Sequence, residues 1–338
     1  MQNDLNKVRF SVKPLKVDKS KVVELARTVG IHPLAYQELP FDPEYSFYAG
    51  RLNPEVLSNA TADEMYWKVR QELIFRHTGE HPYEISGPDA EKLLQKIFTR
   101  DISKIKVGRC SYQFACYSDG GMITDGVLLR LEENKFWFAQ ADGDLFSWYK
   151  AHSENLKVKI SDPDVWVSQI QGPKSMDLLK KLTKETYPEN WKYFDWREVE
   201  ILQEKLIISR SGFSNELGWE IYFTKINNTE KIGDYILEEG KKMGMILTGT
   251  PGFRCKRIES GLLSAGQDFN HKTNPYDVGL GKYVDLNKSY FIGKSALQSV
   301  DKETRCWGIR VEGGTALKGT YIKFNNEIIG KITSSTWS

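Results

Sequence analysis

The 338-residue chain is 40% hydrophobic and 27% charged, enough apolar surface for a large core and too much for a disordered ground state. Its 47 Lys+Arg against 45 Asp+Glu leave a net charge of +2, which gives no electrostatic reason to expect nucleic acid or an anionic membrane as partner. No run of about 18 apolar residues is present, and the basic start MQNDLNKVRFSVKPLKVDKSK lacks an apolar h-region, so the chain reads as soluble and cytoplasmic.

Residues 1–60 read as an N-terminal arm, irregular and rich in Pro, Tyr and Leu, with one short helical stretch at Lys19–Arg27. Residues 61–78 have helical spacing, after which strands and helices alternate. Ile85-Ser86-Gly87-Pro88 is followed by Leu93, Leu94 and Ile97. Ile170-Gln171-Gly172-Pro173 is followed by Leu178, Leu179 and Leu182, every matched pair 85 positions apart. Each copy reads as a strand ending at glycine, a proline at the first helical position and an amphipathic helix. The shared register favours two similar α/β lobes over two independent uses of a common turn.

Between the copies, RCSYQFACYS and GMITDGVLLRL are strands joined at Asp119-Gly120-Gly121, FWFAQAD is a third strand and DLFSWYKAHSE a helix. After the second copy come strands near EVEILQ, KLIISRS and GWEIYFT, then helices in TEKIGDYILEEGKKMG and PGFRCKRIESGLLSAG. Residues 61–273 thus form the paired lobes. Residues 274–338 read as a small β-domain with strand patterns at Cys306–Val311, Tyr321–Phe324 and Glu327–Ile332. The chain stops just after a strand pattern, so the last strands of this domain are expected to be missing.

Four cysteines are too few for a disulfide scaffold. Cys110 and Cys116 lie near His77 and His81 and invite a zinc reading. Neither pair has tight metal spacing, and Gly79 and Pro82 break a helical H-x-x-x-H face, so no metal is expected and the cysteines read as small core residues. Asp125 needs a reason, because aspartate is depleted inside strands. It is either functional, with Tyr112 on the partner strand, or a bulge or exposed edge position beside Gly126. Glu220 sits in the apolar strand WEIYF, where a carboxylate can accept parallel hydrogen bonds from a flat amino-heterocycle or pair with Arg210 or Arg257. Phe213 and Trp219 are either stacking walls or core. Arg254, Lys256 and Arg257 form a basic cluster that fits an anionic ligand tail or a solvated face.

Six segments in order carry a resemblance: EISGPDAEKLLQKIFTRDIS, GGMITDGVLL, QIQGPKSMDLL, RSGFSNELGWEIYF, RCKRIESG and NPYDVGLGKYVDLNKSYFIGKSAL. Together they resemble the tetrahydrofolate-dependent aminomethyltransferase superfamily, over roughly residues 80–300. That group contains the glycine cleavage T protein, folate domains of dimethylglycine and sarcosine oxidising enzymes, dimethylsulfoniopropionate demethylase and folate-dependent O-demethylases. The resemblance implies an α+β fold, a three-part cloverleaf of two α/β lobes and a C-terminal β-barrel, read here as incomplete. It implies tetrahydrofolate as cofactor and a small-molecule methyl or aminomethyl donor. By the family pattern, Asp125 and Tyr112 stand near the folate nitrogens as the catalytic pair, Glu220 grips the pterin edge, Phe213 lines the pterin pocket, and Arg257 matches the arginine of an L-R-L-E segment; Glu220, Phe213, Arg257 and Tyr112 are thereby the expected folate-binding residues.

The sequence departs from the T protein where Thr124 and Gly126 flank a single acid, and where FRHTGEHPYEI stands in place of F-D-V-S-H-M. His77 and His81 are therefore candidates for the substrate pocket. The expected activity is methyl transfer from a donor to tetrahydrofolate, with glycine-cleavage aminomethyl transfer as the alternative. A folate-binding protein without catalysis is the third reading, but the cysteine segment K-G-C-[FY]-x-G-[QH] of such relatives is absent. A detached folate module of a larger oxidoreductase would need its flavin part on another chain.

Overall fold

The computed structural model describes residues 29–184, 187–188 and 190–337; the helical stretch expected at Lys19–Arg27 lies outside the described residues. In chain order the first elements are strands β1 (Glu44–Tyr48) and β2 (Arg51–Val56), helix α1 (Ala62–Gln71), and strands β3 (Ile74–His77) and β4 (His81–Ser86). Helix α2 (Ala90–Ile97), strands β5 (Cys110–Cys116), β6 (Met122–Glu132) and β7 (Lys135–Gln140), helix α3 (Phe146–His152) and strands β8 (Lys159–Ser161) and β9 (Trp166–Gln171) follow. Next come α4 (Ser175–Thr183), β10 (Trp196–Ile201), β11 (Glu204–Ser209), β12 (Gly218–Phe223) and α5 (Thr229–Lys241). The last elements are β13 (Ile246–Leu247), α6 (Pro251–Glu259), α7 (Lys294–Ser299), β14 (Tyr321–Phe324) and β15 (Glu327–Lys331).

Two compact units result. One gathers residues up to His81 with Pro163–Phe253; the other gathers Pro82–Asp162 with residues from Arg254 onward. The first holds a six-stranded sheet in the order β10-β11-β12-β9-β3-β13, and the second a five-stranded sheet in the order β5-β6-β7-β4-β8. Part of the arm is regular, since β1 and β2 pair as an antiparallel hairpin.

The strand–glycine–proline–helix repeat is present in both units. Gly87 and Gly172 have φ of +116° and +123°, and a Cβ would run into the carbonyls of Lys157 and Glu72 respectively. The prolines do not occupy the first helical position. Ala90 N donates to Gly87 O and Ser175 N to Gly172 O, both at 3.0 Å, so each proline lies in a turn and the helix opens two residues later. Helix α1 is started by a capping box between Thr61 and Glu64.

Alternation along the strands gives each sheet two faces. In the first unit Phe75, Ile170, Trp219, Ile221 and Ile208 pack on Leu178, Leu179 and Leu182 of α4 and on Ile232 and Ile236 of α5. In the second, Ala115, Leu128, Phe136 and Phe138 pack on Leu93, Leu94 and Ile97 of α2. The other face of β5 and β6, with Phe114, Cys116 and Met122, packs on Phe269, Phe291 and Leu297 from the C-terminal part of the same unit.

The strand expected at Cys306–Val311 is not formed, and Trp307, Ile309 and Val311 are exposed. It has no ladder partner among the described residues, and a strand exists only where its N–H and C=O groups find one. Tyr321–Phe324 and Glu327–Lys331 do form a hairpin, β14–β15. Among the described residues no closed barrel is present. Among the same residues no helix is long and apolar enough to cross a membrane.

Candidate functional site

In the second unit, the β5–β6 hairpin turns at Gly120, with φ +88°, and Gly121, where a Cβ would run into the His271 carbonyl. The register pairs Tyr112 with Val127 and Phe114 with Asp125, so Tyr112 and Asp125 are diagonal neighbours on one face. The Tyr112 hydroxyl donates to Asp125 Oδ2 at 2.8 Å. Asp125 is neither bulged nor at an exposed edge. It lies in regular pairing, 7% exposed, and Gly126 beside it is needed because a Cβ would strike the Ala139 carbonyl and the Phe138 ring. Burial pushes Asp125 up to about 6, and the Tyr112 hydrogen bond pulls in the other direction. Burial, then the Asp125 charge, pushes the Tyr112 phenol well above its ordinary value. Tyr112 is steadied by an edge contact with Tyr283 at 5.3 Å and by Arg100, which donates to its carbonyl at 2.9 Å.

In the first unit, Glu220 of β12 faces away from the apolar core. Its ladder neighbours are Gln169 of β9 and Ser209 of β11, and Gln169 in turn neighbours Arg76 of β3. Gln169 Nε2 donates to Glu220 Oε1 at 3.0 Å, and Ser211 Oγ donates to Oε2 at 2.5 Å. Ser209 and the Tyr222 hydroxyl add longer bonds of 3.5 and 3.4 Å to Oε2. The carboxylate is 8% exposed, and neither Arg210 nor Arg257 pairs with it: Arg210 donates to the Trp191 carbonyl instead. Burial first, then the nearby Glu80 charge, pushes Glu220 up to about 7. Glu216 is committed elsewhere, to Arg70 at 2.8 Å.

Phe213 packs beside Val69, Ile74 and Phe253 in the same unit. Trp219 points to the opposite sheet face from Glu220 and is core, against Trp191 at 4.7 Å, so it is no wall of that site. Arg257 is buried in the second unit and its guanidinium is engaged. It pairs with Asp268 at 2.6 Å and donates to Ser334 Oγ at 2.8 Å and Leu262 O at 3.1 Å. His77 lies on the core face of β3, stacked on His32 at 4.7 Å and bonded to Ser168 and Gln37, at 3.0 and 3.2 Å. Burial, then Arg76, pushes it down to about 3, so it is a neutral core histidine and not beside Glu220. His81 is part-buried with Nδ1 3.2 Å from the Ala49 carbonyl.

Sequence reasoning missed Gln169, Ser209, Ser211 and Arg76. The signal was there in weak form: Arg76 directly follows the apolar run Leu73-Ile74-Phe75, and Gln169 is a polar residue inside the strand WVSQIQ.

The donors around Glu220 leave one acceptor unused. Gln169 Oε1 is buried without a partner among the described residues. An amide acceptor beside a carboxylate is the acceptor set that the N–H edge of an amino-pyrimidinone needs, so these residues fit a pterin.

A model of the GCVT N-terminal domain family matches residues 32–288. The chain belongs to this family. A dimethylsulfoniopropionate demethylase from Ruegeria pomeroyi is 31% identical over 255 residues, 75% of this chain and 69% of that protein. An aminomethyltransferase from Halothermothrix orenii is 29% identical over 270 residues, 78% of this chain and 74% of that protein. The solved structure of glycine cleavage system aminomethyltransferase T from Bartonella henselae superposes with a TM-score of 0.78 at 19% identity. It covers 90% of this chain and 85% of that one, and shows the shared fold. Membership bears out the superfamily that the six segments resemble, and with it a transferase.

Proposed function

We propose that this GCVT-family chain is a one-carbon transferase that moves a methyl group from a small-molecule donor to tetrahydrofolate. The observation that carries the reading is the buried Tyr112–Asp125 pair, a carboxylate at about 6 held by a phenol at 2.8 Å. Tetrahydrofolate would supply the nitrogen that accepts the one-carbon unit. In this reading Glu220 holds the pterin edge, Phe213 lines its apolar surroundings, and Arg257 joins the segments bearing Asp268 and Ser334. Residues from 274 onward would belong to a third, β-rich lobe, and a cytoplasmic setting goes with the reading.

Asp125 has the work of moving a proton. A nitrogen that gains a methyl group loses a proton, and an oxygen or nitrogen leaving group gains one. A carboxylate poised near neutrality can take up and return that proton. Tyr112 orients it and keeps it from rising further. Most of the remaining acceleration would come from holding donor and acceptor in contact, worth up to ~7–11 kcal/mol in ideal cases. The same device favours, as a second reading, an aminomethyl donor, whose amine must also be protonated to leave.

The test is a donor panel with tetrahydrofolate: dimethylsulfoniopropionate, vanillate, syringate, dimethylglycine and sarcosine. Chromatography separates 5-methyl- from 5,10-methylene-tetrahydrofolate. The first product supports demethylation and the second aminomethyl-type transfer. Binding of tetrahydrofolate with no turnover of any methyl or aminomethyl donor would leave a non-catalytic folate-binding protein.

A further inference from the structure

The polar row across the first unit's sheet is longer than the carboxylate and its hydroxyls. Arg76, Gln169 and Glu220 are successive ladder neighbours on β3, β9 and β12, so their side chains rise from one face in that order. Arg76 is 7% exposed, and its charge makes no ion pair within contact distance among the described residues. Its Nη2 donates to Asn53 Oδ1 at 3.1 Å and Thr250 Oγ1 at 3.0 Å, and its guanidinium lies 5.0 Å from the Phe253 ring centroid. Its Nε–H has no partner among the described residues, and neither has Gln169 Oε1 next to it. Buried polar groups are nearly always paired, so an unused donor beside an unused acceptor marks a place shaped for something else.

We infer that Arg76 and Gln169 extend the Glu220 site into a donor–acceptor–acceptor row that selects the 4-oxo form of the pterin. The amino-pyrimidinone edge presents, in order, the C4 carbonyl as acceptor, N3–H as donor and the 2-amino group as donor. Arg76 faces the carbonyl, Gln169 Oε1 faces N3–H, and Glu220 takes the 2-amino end. A 4-amino pterin reverses the first two positions. It sets an amino donor against the guanidinium and a bare N3 against the amide oxygen. A site built on hydrogen bonds rejects such an analogue because its own buried groups are then left unpaired. The inference rests on Glu220 being the pterin carboxylate.

Titration calorimetry would compare tetrahydrofolate with tetrahydroaminopterin, which carries amino in place of oxo at C4. The wild-type chain should prefer tetrahydrofolate at least ~10-fold, as expected where a hydrogen bond to a charged group is at stake. Arg76→Met and Gln169→Met should each bring the two affinities to within about threefold, mainly by weakening tetrahydrofolate. Arg76 also holds Asn53 and Thr250; where Arg76→Met does not fold, Gln169→Met, similar in shape and with a side chain bonded among the described residues to Glu220 alone, decides. An unchanged preference in a folded variant overturns the role of the row while leaving Glu220 as the pterin carboxylate. Failure of the wild type to bind either compound overturns both.

Discussion

The two sheets each bury one carboxylate on the face turned away from their α-helical layer, and they treat it differently. Asp125 in the five-stranded sheet has a single phenol at 2.8 Å and sits at about 6. Glu220 in the six-stranded sheet has an amide and three hydroxyls within 3.5 Å and is still pushed up to about 7. Burial dominates both. A lone donor leaves a carboxylate free to exchange a proton; a ring of donors fixes its orientation, and Glu80 adds a repulsion that a ligand's N–H groups would relieve. One arrangement suits chemistry and the other suits grip.

The largest way to break this contrast is Asp125→Asn. The side chains are nearly the same shape, so the melting temperature should hold while kcat/KM falls ~10²–10⁴-fold, the range for loss of a general acid–base group. With a sulfonium donor the loss should be smaller, because a thioether leaves without a proton and only the proton shed by the methylated nitrogen is left for Asp125 to take up. A fall in thermal stability with activity intact would make Asp125 structural. Glu220→Gln should act on binding instead. It turns an acceptor toward a donor edge and should weaken tetrahydrofolate at least ~10-fold, from a charged hydrogen bond of about 1.5–3 kcal/mol. Calorimetry that shows equal affinity would remove Glu220 from the pterin edge.

Much of this was legible in the chain. Asp125 stood out because an acid in MITDGVLLRL contradicts its neighbours, and the Gly87 and Gly172 turns were visible because a glycine followed by proline and an amphipathic stretch is a local pattern. Gln169 and Arg76 were not legible, because their meaning depends on which strands lie side by side. The order β12-β9-β3 joins residues 220, 169 and 76, and no local pattern states it. The place of His77 was hidden for the same reason: one residue along β3 from Arg76, it shares the face of Phe75 and packs edge-on against that ring. Cys306–Val311 has the alternation of a strand, but alternation does not supply a partner.

A smaller effect sharpens the comparison through pH. Both carboxyls bind a proton more tightly in the folded chain, at about 6 and about 7, than in the unfolded one, where such groups titrate near ~4. The folded state then holds more protons than the unfolded between about 4 and 7. Stability from these groups is full below that window and is lost as pH rises through it. His77, pushed down to about 3, works with the opposite sign and adds stability as pH rises toward ~6.5. The two trends overlap in the wild type, so the readout is a difference. Denaturant melts from pH 5 to 8 should show Asp125→Asn and Glu220→Gln each gaining on the wild type as pH rises. Parallel curves would mean that neither carboxyl is raised by the fold.

The smallest expected effects separate a lone donor from a ring of them. Tyr112→Phe removes the one side-chain hydrogen bond that the Asp125 carboxylate has among the described residues, and that bond favours the ionised form. The titration midpoint of Asp125 should climb above about 6, and the acid limb of the kcat/KM profile should move with it to higher pH. Ser211→Ala removes the shortest of the hydroxyl bonds to Glu220, but Gln169, Ser209 and Tyr222 remain within reach of the carboxylate. A neutral donor is worth about 0.5–1.5 kcal/mol when nothing replaces it. With three donors left to close in, tetrahydrofolate affinity should change by less than about threefold, the low end of that range. A Ser211→Ala loss as large as that of Glu220→Gln would show that one hydroxyl, and not the ring, holds the carboxylate. The contrast between the two sheets would then reduce to one donor each.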